Sequence, residues 1–114
     1  MRQFDTYTYG VKPGEEITLS THLIALPQMA VQVSKTMQKG PATPDGSPTW
    51  TFTVPTTGAE EVYNAFAEVS FVAAPTNARV DITVEGSLGG GAFSIFPIFP
   101  TSADKDPGFT FWVE

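Results

Sequence analysis

Hydrophobic and polar residues alternate with a period of two along most of this chain. The alternation is clearest over residues 16–23, 49–54, 79–85 and 109–113, and no segment adopts the helical period instead. The apolar positions in these segments are Ile17, Leu19, Leu23, Trp50, Phe52, Val54, Val80, Ile82, Val84, Phe109, Phe111 and Val113. Because successive side chains of an extended backbone point to opposite faces, the pattern predicts β-strands with one buried and one wetter face.

Residues that favour turns separate these segments at intervals of about ten positions. Residues 40–48, for example, hold three prolines and two glycines and predict a loop. The predicted strands cover residues 3–11, 16–25, 29–37, 49–54, 63–73, 78–85, 92–99 and 109–113. The other predicted elements are a helical turn at residues 58–64, a glycine loop at residues 86–91 and a polar turn at residues 103–108.

About seven or eight short strands with regular turn signals indicate an all-β fold. The architecture that fits best is an antiparallel β-sandwich of jelly-roll or immunoglobulin-like type, with a small β-barrel as the alternative. Residues 1–114 are expected to form a single domain, since a chain of this length can bury a core without disulfides. It contains no cysteine with which to form one.

Composition and charge narrow the range of partners. Twelve acidic and six basic residues give a formal net charge of −6, which repels phosphate backbones, so nucleic acid is not an expected partner. No apolar run approaches the roughly 20 residues that a membrane helix needs, so no membrane insertion is expected. The first residues show no signal-peptide pattern, which favours a cytoplasmic protein or one assembled into a particle.

The sequence offers little for catalysis. His22 is the only histidine, and alternation places it on the polar face of its strand with Thr18 and Ser20. Asp81 and Glu85 share one strand face, but such a placement is ordinary for two carboxylates that face solvent. No nucleophile elbow, phosphate-binding loop or zinc-protease motif is present. We therefore expect a protein that is not an enzyme and that needs no cofactor.

A calcium site is a weaker possibility. Asp45 and the turn from Asp104 to Asp106 carry oxygen ligands of the kind that calcium prefers. However, the chain contains no Asp-x-Asp-x-Asp-Gly loop, and aspartates flanking a lysine are ordinary in turns. No metal site is predicted.

Several large apolar residues fall out of phase with their own strand. Trp112 points away from the inward face that Phe109 and Phe111 define, and Phe66 occupies the polar face of its strand. Residues 93–100 (FSIFPIFP) are apolar on both faces, with Phe96 and Ile98 on one of them. A large exposed apolar patch usually marks an interaction surface, although a loop of the same chain covering these residues would explain them equally well.

Two functional classes remain, with a third less supported. The first is a structural or assembly protein, such as a virion or phage-particle subunit, that forms a homo-oligomer or binds another protein through its aromatic surface. The second is a carbohydrate-binding module in which Trp112 stacks on a sugar ring while Asp45, Asp104 or Asn64 accepts hydrogen bonds. The third is an inhibitor that binds a protein partner through its acidic face. The candidate binding residues are Trp112, Phe66, Phe96, Ile98, Asp45 and Asp104.

Overall fold

The computed structural model of the protein describes residues 3–71, 74–86, 89–95 and 105–114. These residues form nine strands and one short 3₁₀ turn, at Gln28–Ala30. The strands are β1 (Gln3–Val11), β2 (Glu16–Ile24), β3 (Val31–Val33), β4 (Gln38–Lys39), β5 (Thr49–Thr53), β6 (Val62–Val69), β7 (Arg79–Gly86), β8 (Gly89–Ile95) and β9 (Lys105–Val113). The all-β prediction is confirmed, and the described strands outnumber the seven or eight that were expected.

The strands form two sheets that pack face to face. Sheet A has the order β1-β9-β6-β3, and sheet B has the order β4-β5-β2-β7-β8. The described ladders do not join into one closed barrel. A sandwich of two sheets therefore fits this chain, with β3 and β4 as edge strands of sheets A and B.

The pairing of β1 with β9 departs from the antiparallel prediction. These two strands run parallel and bring Tyr7 beside Phe109 and Tyr9 beside Phe111, whereas every other described ladder is antiparallel. The stacked rings lie 6.2 and 6.1 Å apart between centroids. Parallel neighbours need a long crossover, and here the crossover is the rest of the domain.

The core lies between the sheets and is built from the predicted inward positions. Phe111 is fully buried at its centre, with its ring 6.1 Å from that of Phe52 on the opposite sheet. Phe52 also contacts Tyr63, with 4.9 Å between ring centroids. Trp50 is only 7% exposed, so its predicted place in the core is confirmed.

Of the predicted strand over residues 29–37 only Val31–Val33 is strand, because the chain changes sheets after it. After the 3₁₀ turn, β3 pairs with β6 in sheet A. A turn closed by the Met37 N–H donating to the Ser34 carbonyl (3.1 Å) then carries the chain across to β4 in sheet B. Both strands are short for this reason, and they leave an opening on one side of the sandwich.

Three smaller predictions also need correction. The glycine loop is largely strand, since β7 extends to Gly86 and β8 begins at Gly89. A Cβ at Gly90 would lie 2.0 Å from the Val84 carbonyl oxygen, so only glycine fits this close pairing. β9 begins at Lys105 rather than residue 109, and residues 58–64 form no helical turn before β6 begins at Val62.

Candidate functional site

The solvent-facing side of sheet A carries the most distinctive surface in the described part of the chain. We call it the aromatic face. Alternation sends every second residue of each strand outward, and the ladders align them in rows. The outward residues are Thr8, Gly10, Gln32, Val62, Asn64, Phe66, Glu68, Gly108, Thr110 and Trp112.

Two large side chains on the aromatic face are half exposed. Trp112 is 51% exposed and Phe66 is 48% exposed, in agreement with their out-of-phase positions in the sequence. Trp112 pairs with Gly10 on one side, and Phe66 pairs with Gly108. Because glycine has no side chain, one side of each ring is left uncovered. Each ring in turn covers the backbone of its glycine neighbour.

Polar side chains separate the two aromatic residues. Asn64 and Thr110 pair in the row between them, and the Thr110 hydroxyl donates to the Asn64 Oδ1 atom at 3.0 Å. Trp112 and Phe66 lie four register positions apart, which is about 13 Å along the strands. The aromatic face therefore has two separate apolar ends and not one continuous patch.

At the Phe66 end, a groove follows the margin of β3. It has a volume of about 410 Å³ and is lined by Gln32, Val33, Ser34, Lys35, Phe66 and Glu68. We call it the Phe66 groove. Ser34 fixes its wall, because its N–H donates to the Phe66 carbonyl (2.9 Å) and its Oγ accepts from the Phe66 N–H (3.1 Å). The position of the groove wall is thus fixed by two hydrogen bonds between Ser34 and the backbone of Phe66.

A second groove opens on the other side of β3, between the edges of the two sheets. Its volume is about 540 Å³, and it shares Gln32 and Val33 with the Phe66 groove. Met29 is 77% exposed on its rim, and the Lys39 Nζ atom lies 5.9 Å from the centroid of the Trp50 ring. Sequence reasoning missed this opening, because it arises from the change of sheets after β3.

Charge is distributed unevenly along sheet A. Lys35 and Lys39 are both exposed and line the two grooves beside β3. The opposite end of the sheet, around Trp112, carries the exposed carboxylates of Glu60, Glu61 and Glu114. The Val113 N–H donates to the Glu61 carbonyl at 2.9 Å, which keeps these acidic residues close to Trp112. The Trp112 end is therefore acidic on balance even with Lys12 nearby, whereas Lys35 and Glu68 balance each other in the Phe66 groove.

Asp45, a predicted binding residue, is engaged within its own loop. It accepts hydrogen bonds from the Thr43 hydroxyl and from the Ser47 N–H (2.9 Å), and it pairs with His22. The bond from Thr43, followed by those from Ser47 and His22, holds the pKa of Asp45 below its usual range. Gly46 completes the turn with a φ of 86°, a conformation that favours glycine.

The Asp45 loop lies far from the aromatic residues in the fold. His22, its partner, points outward from sheet B, whereas Trp112 and Phe66 point outward from sheet A. Trp112 and Asp45 are therefore on opposite sides of the sandwich. A sugar bound on Trp112 would meet Asn64 and Thr110 rather than Asp45.

His22 shares its outward row of sheet B with a second pair of polar residues. The nearest register neighbours on sheet B are Asp81 and Ser94, and the Ser94 hydroxyl donates to Asp81 at 2.6 Å. Over the described ranges, no group of three or more histidine, aspartate or glutamate side chains is placed to hold a metal ion. Nor does any helix in those ranges have the length and hydrophobicity to cross a membrane.

Three predicted site residues, Phe96, Ile98 and Asp104, lie outside the described residues. The candidate site is therefore the aromatic face with the Phe66 groove. No family model, no curated protein and no solved structure matches the chain.

Proposed function

We propose that this protein is a non-catalytic assembly subunit that associates with other protein chains through the aromatic face of sheet A. The observation that carries the proposal is the exposure of Trp112 and Phe66 on one sheet face. Tryptophan is enriched among the residues that dominate binding energy at protein interfaces. A face with two half-exposed aromatic side chains and a groove at one end is suited to docking a second surface.

The energetics favour an interface over a purely structural role for these side chains. Fully burying a large apolar side chain contributes about 1.5–3 kcal/mol, and half of each ring here remains in water. The part of this free energy that belongs to the exposed half of each ring is gained only when another surface covers the rings. A subunit of a virion, phage particle or similar array would use it in this way.

Light scattering after size exclusion, over a concentration series, tests the proposal. We expect a mass that rises with concentration above the 12.2 kDa of one chain. Trp112→Thr and Phe66→Thr should each weaken the association by about tenfold or more, because each removes a hot-spot ring. A strict monomer at all concentrations would rule out self-assembly as the primary role.

Carbohydrate binding is the second candidate, and the environment of Trp112 favours it. The indole lies beside Gly10, with Thr110 and Asn64 in the next row, so a flat ring has polar groups near it. Trp50 is largely buried but lines the second groove, so the fluorescence change has to be assigned to Trp112 with a variant. A glycan screen that alters the emission of the wild type but not of Trp112→Phe would support this function over assembly.

We also propose that the sandwich is immunoglobulin-like rather than a jelly roll. Strands β3, β6 and β9 are arranged as the C, F and G strands of that fold, and β2, β5 and β4 as its B, E and D strands. The β7–β8 hairpin is then an insertion between F and G that extends sheet B. This likeness concerns topology alone and carries no function.

A further inference from the structure

We propose that copies of this chain join head to tail, with Trp112 of one copy seated in the Phe66 groove of the next. The inference rests on the proposed assembly function and specifies its contact. It concerns which two surfaces meet, and therefore what kind of assembly results.

A single chain cannot make this contact with itself. Trp112 and Phe66 are separated by the Asn64–Thr110 row and by about 13 Å of rigid ladder. The side chain of a tryptophan spans only part of that distance. Each copy thus presents one unfilled groove and one uncovered indole, and only a neighbour can match them.

The groove suits an aromatic side chain. Its volume of about 410 Å³ lies within the range of sites that hold small ligands, which is ample for one indole ring. Phe66 and Val33 supply its apolar wall, and Lys35 stands at its rim. An aromatic pair contributes beyond its buried area, and a lysine near an indole face adds a cation–π attraction.

Charge complementarity determines the direction of docking. The Phe66 groove is lined by Lys35 and Glu68, and Lys39 lies across β3 on the edge of sheet B. The Trp112 end carries Glu60, Glu61 and Glu114 against one lysine among the described residues, Lys12. Two Trp112 ends facing each other would bring these acidic groups together, whereas an acidic end facing the groove places them near Lys35 and Lys39.

The contact therefore joins two different surfaces and leaves one of each unused at the ends of any oligomer. Such a heterologous interface extends into a filament, or closes into a ring where the rotation between copies permits. Growth beyond a dimer distinguishes it from a reciprocal contact, in which two copies satisfy each other and stop.

Mixing two variants tests the arrangement. Trp112→Thr removes the indole and keeps the groove, while Lys35→Glu keeps the indole and reverses the charge at the groove rim. We expect wild type to grow past a dimer and each variant alone to associate at least tenfold more weakly. An equimolar mixture should form a heterodimer of about 24 kDa, twice the 12.2 kDa chain mass, and go no further.

Controls keep the outcome interpretable. Arg79→Glu makes the same charge change on β7 of sheet B, away from both the groove and Trp112, and should assemble like wild type. Phe66→Thr is a second groove variant, and it should replace Lys35→Glu in the mixture without changing the result. Circular dichroism and thermal unfolding confirm that every variant is folded.

Other outcomes would contradict either the head-to-tail contact or assembly itself. A mixture that fails to associate, while wild type assembles, shows that Trp112 does not enter the groove. A wild type that stops at a dimer shows a reciprocal contact instead of a head-to-tail one. Either result leaves assembly itself intact, whereas a wild type that stays monomeric removes the proposed function together with this inference.

Discussion

The outward faces of the two sheets differ although both arise from the same alternation of residues. Sheet B presents short hydroxylated side chains in its central rows: Thr18, Ser20, Thr51, Thr53 and Thr83. Sheet A places Trp112 and Phe66 at the equivalent outward positions, with a glycine beside each. A strand face covered with threonine combines good β-propensity with solvation. Tryptophan and phenylalanine share the β-propensity of threonine but not its solvation, and the proposed contact with another surface would account for their place on the aromatic face.

The comparison also separates folding from binding within one strand. Phe111 is completely buried in the core, whereas its neighbour Trp112 is half exposed. Their side chains are similar in kind but face opposite sides of sheet A. Substitutions at these adjacent positions should therefore affect different properties of the protein.

The largest expected effect is on stability, at Phe111. Phe111→Ala should lower the free energy of unfolding by about 3–5 kcal/mol, since it empties a packed site between Tyr9 and Phe52. Trp112→Thr should lower the free energy by only about 1 kcal/mol, because half of the indole is already exposed and threonine suits an outward strand position. Urea unfolding at a concentration where the protein is monomeric measures both. Equal losses from the two variants would contradict the distinction between the faces.

The next effect is on association and compares one face with the other. Trp112→Thr should weaken self-association by about tenfold or more. Thr83→Ala, on the outward face of sheet B, should leave it unchanged. Analytical ultracentrifugation of both variants beside wild type gives the two dissociation constants. If Thr83→Ala disrupts assembly and Trp112→Thr does not, the binding surface lies on sheet B.

A smaller effect is expected from ionic strength. Attraction between the lysines beside β3 and the carboxylates near Trp112 is screened over about 8 Å at physiological salt. Raising the salt concentration several-fold should therefore weaken association by a few-fold, while the apolar contact persists. Lys35→Gln should reduce this salt dependence, and Arg79→Gln, on β7 of sheet B, should preserve it. Association that strengthens with salt in the wild type would show that charge opposes the contact.

Much of the fold could be predicted because its signals are local. Strand β1 has the predicted bounds, and β5 differs from its prediction by one residue, since turn residues mark their ends. The exposure of Trp112 and Phe66 also followed from alternation alone. These features depend only on which way neighbouring side chains point.

The remaining features depend on contacts between distant segments. The parallel pairing of β1 with β9 joins the two ends of the chain, and no local pattern specifies it. The change of sheets after β3 likewise depends on distant segments, because they determine which sheet each edge strand joins. The Phe66 groove brings residues 32–35 beside residues 66–68. The sequence does not predict it, because the groove exists only where these two distant segments meet.

The smallest effect concerns the Asp45 loop beside sheet B. Because its hydrogen bonds lower the pKa of Asp45 in the folded state, the folded protein holds the carboxylate more favourably than the unfolded chain does. This contribution to stability is present above the ordinary aspartate pKa of about 3.9 and declines as the pH falls below it. Asp45→Asn should therefore be less stable than wild type at pH 7, and the difference should narrow as the pH falls below about 4.

Chemical unfolding at several pH values measures that difference, with Glu60→Gln as a control for the loss of one exposed negative charge. Self-association at pH 7 should be the same for Asp45→Asn as for wild type, because the loop and the aromatic face lie on opposite sides of the sandwich. A variant at Asp45 that weakens association without loss of stability would place the loop in the interface. In that case the hydroxylated face of sheet B, and not only the aromatic face of sheet A, would take part in binding.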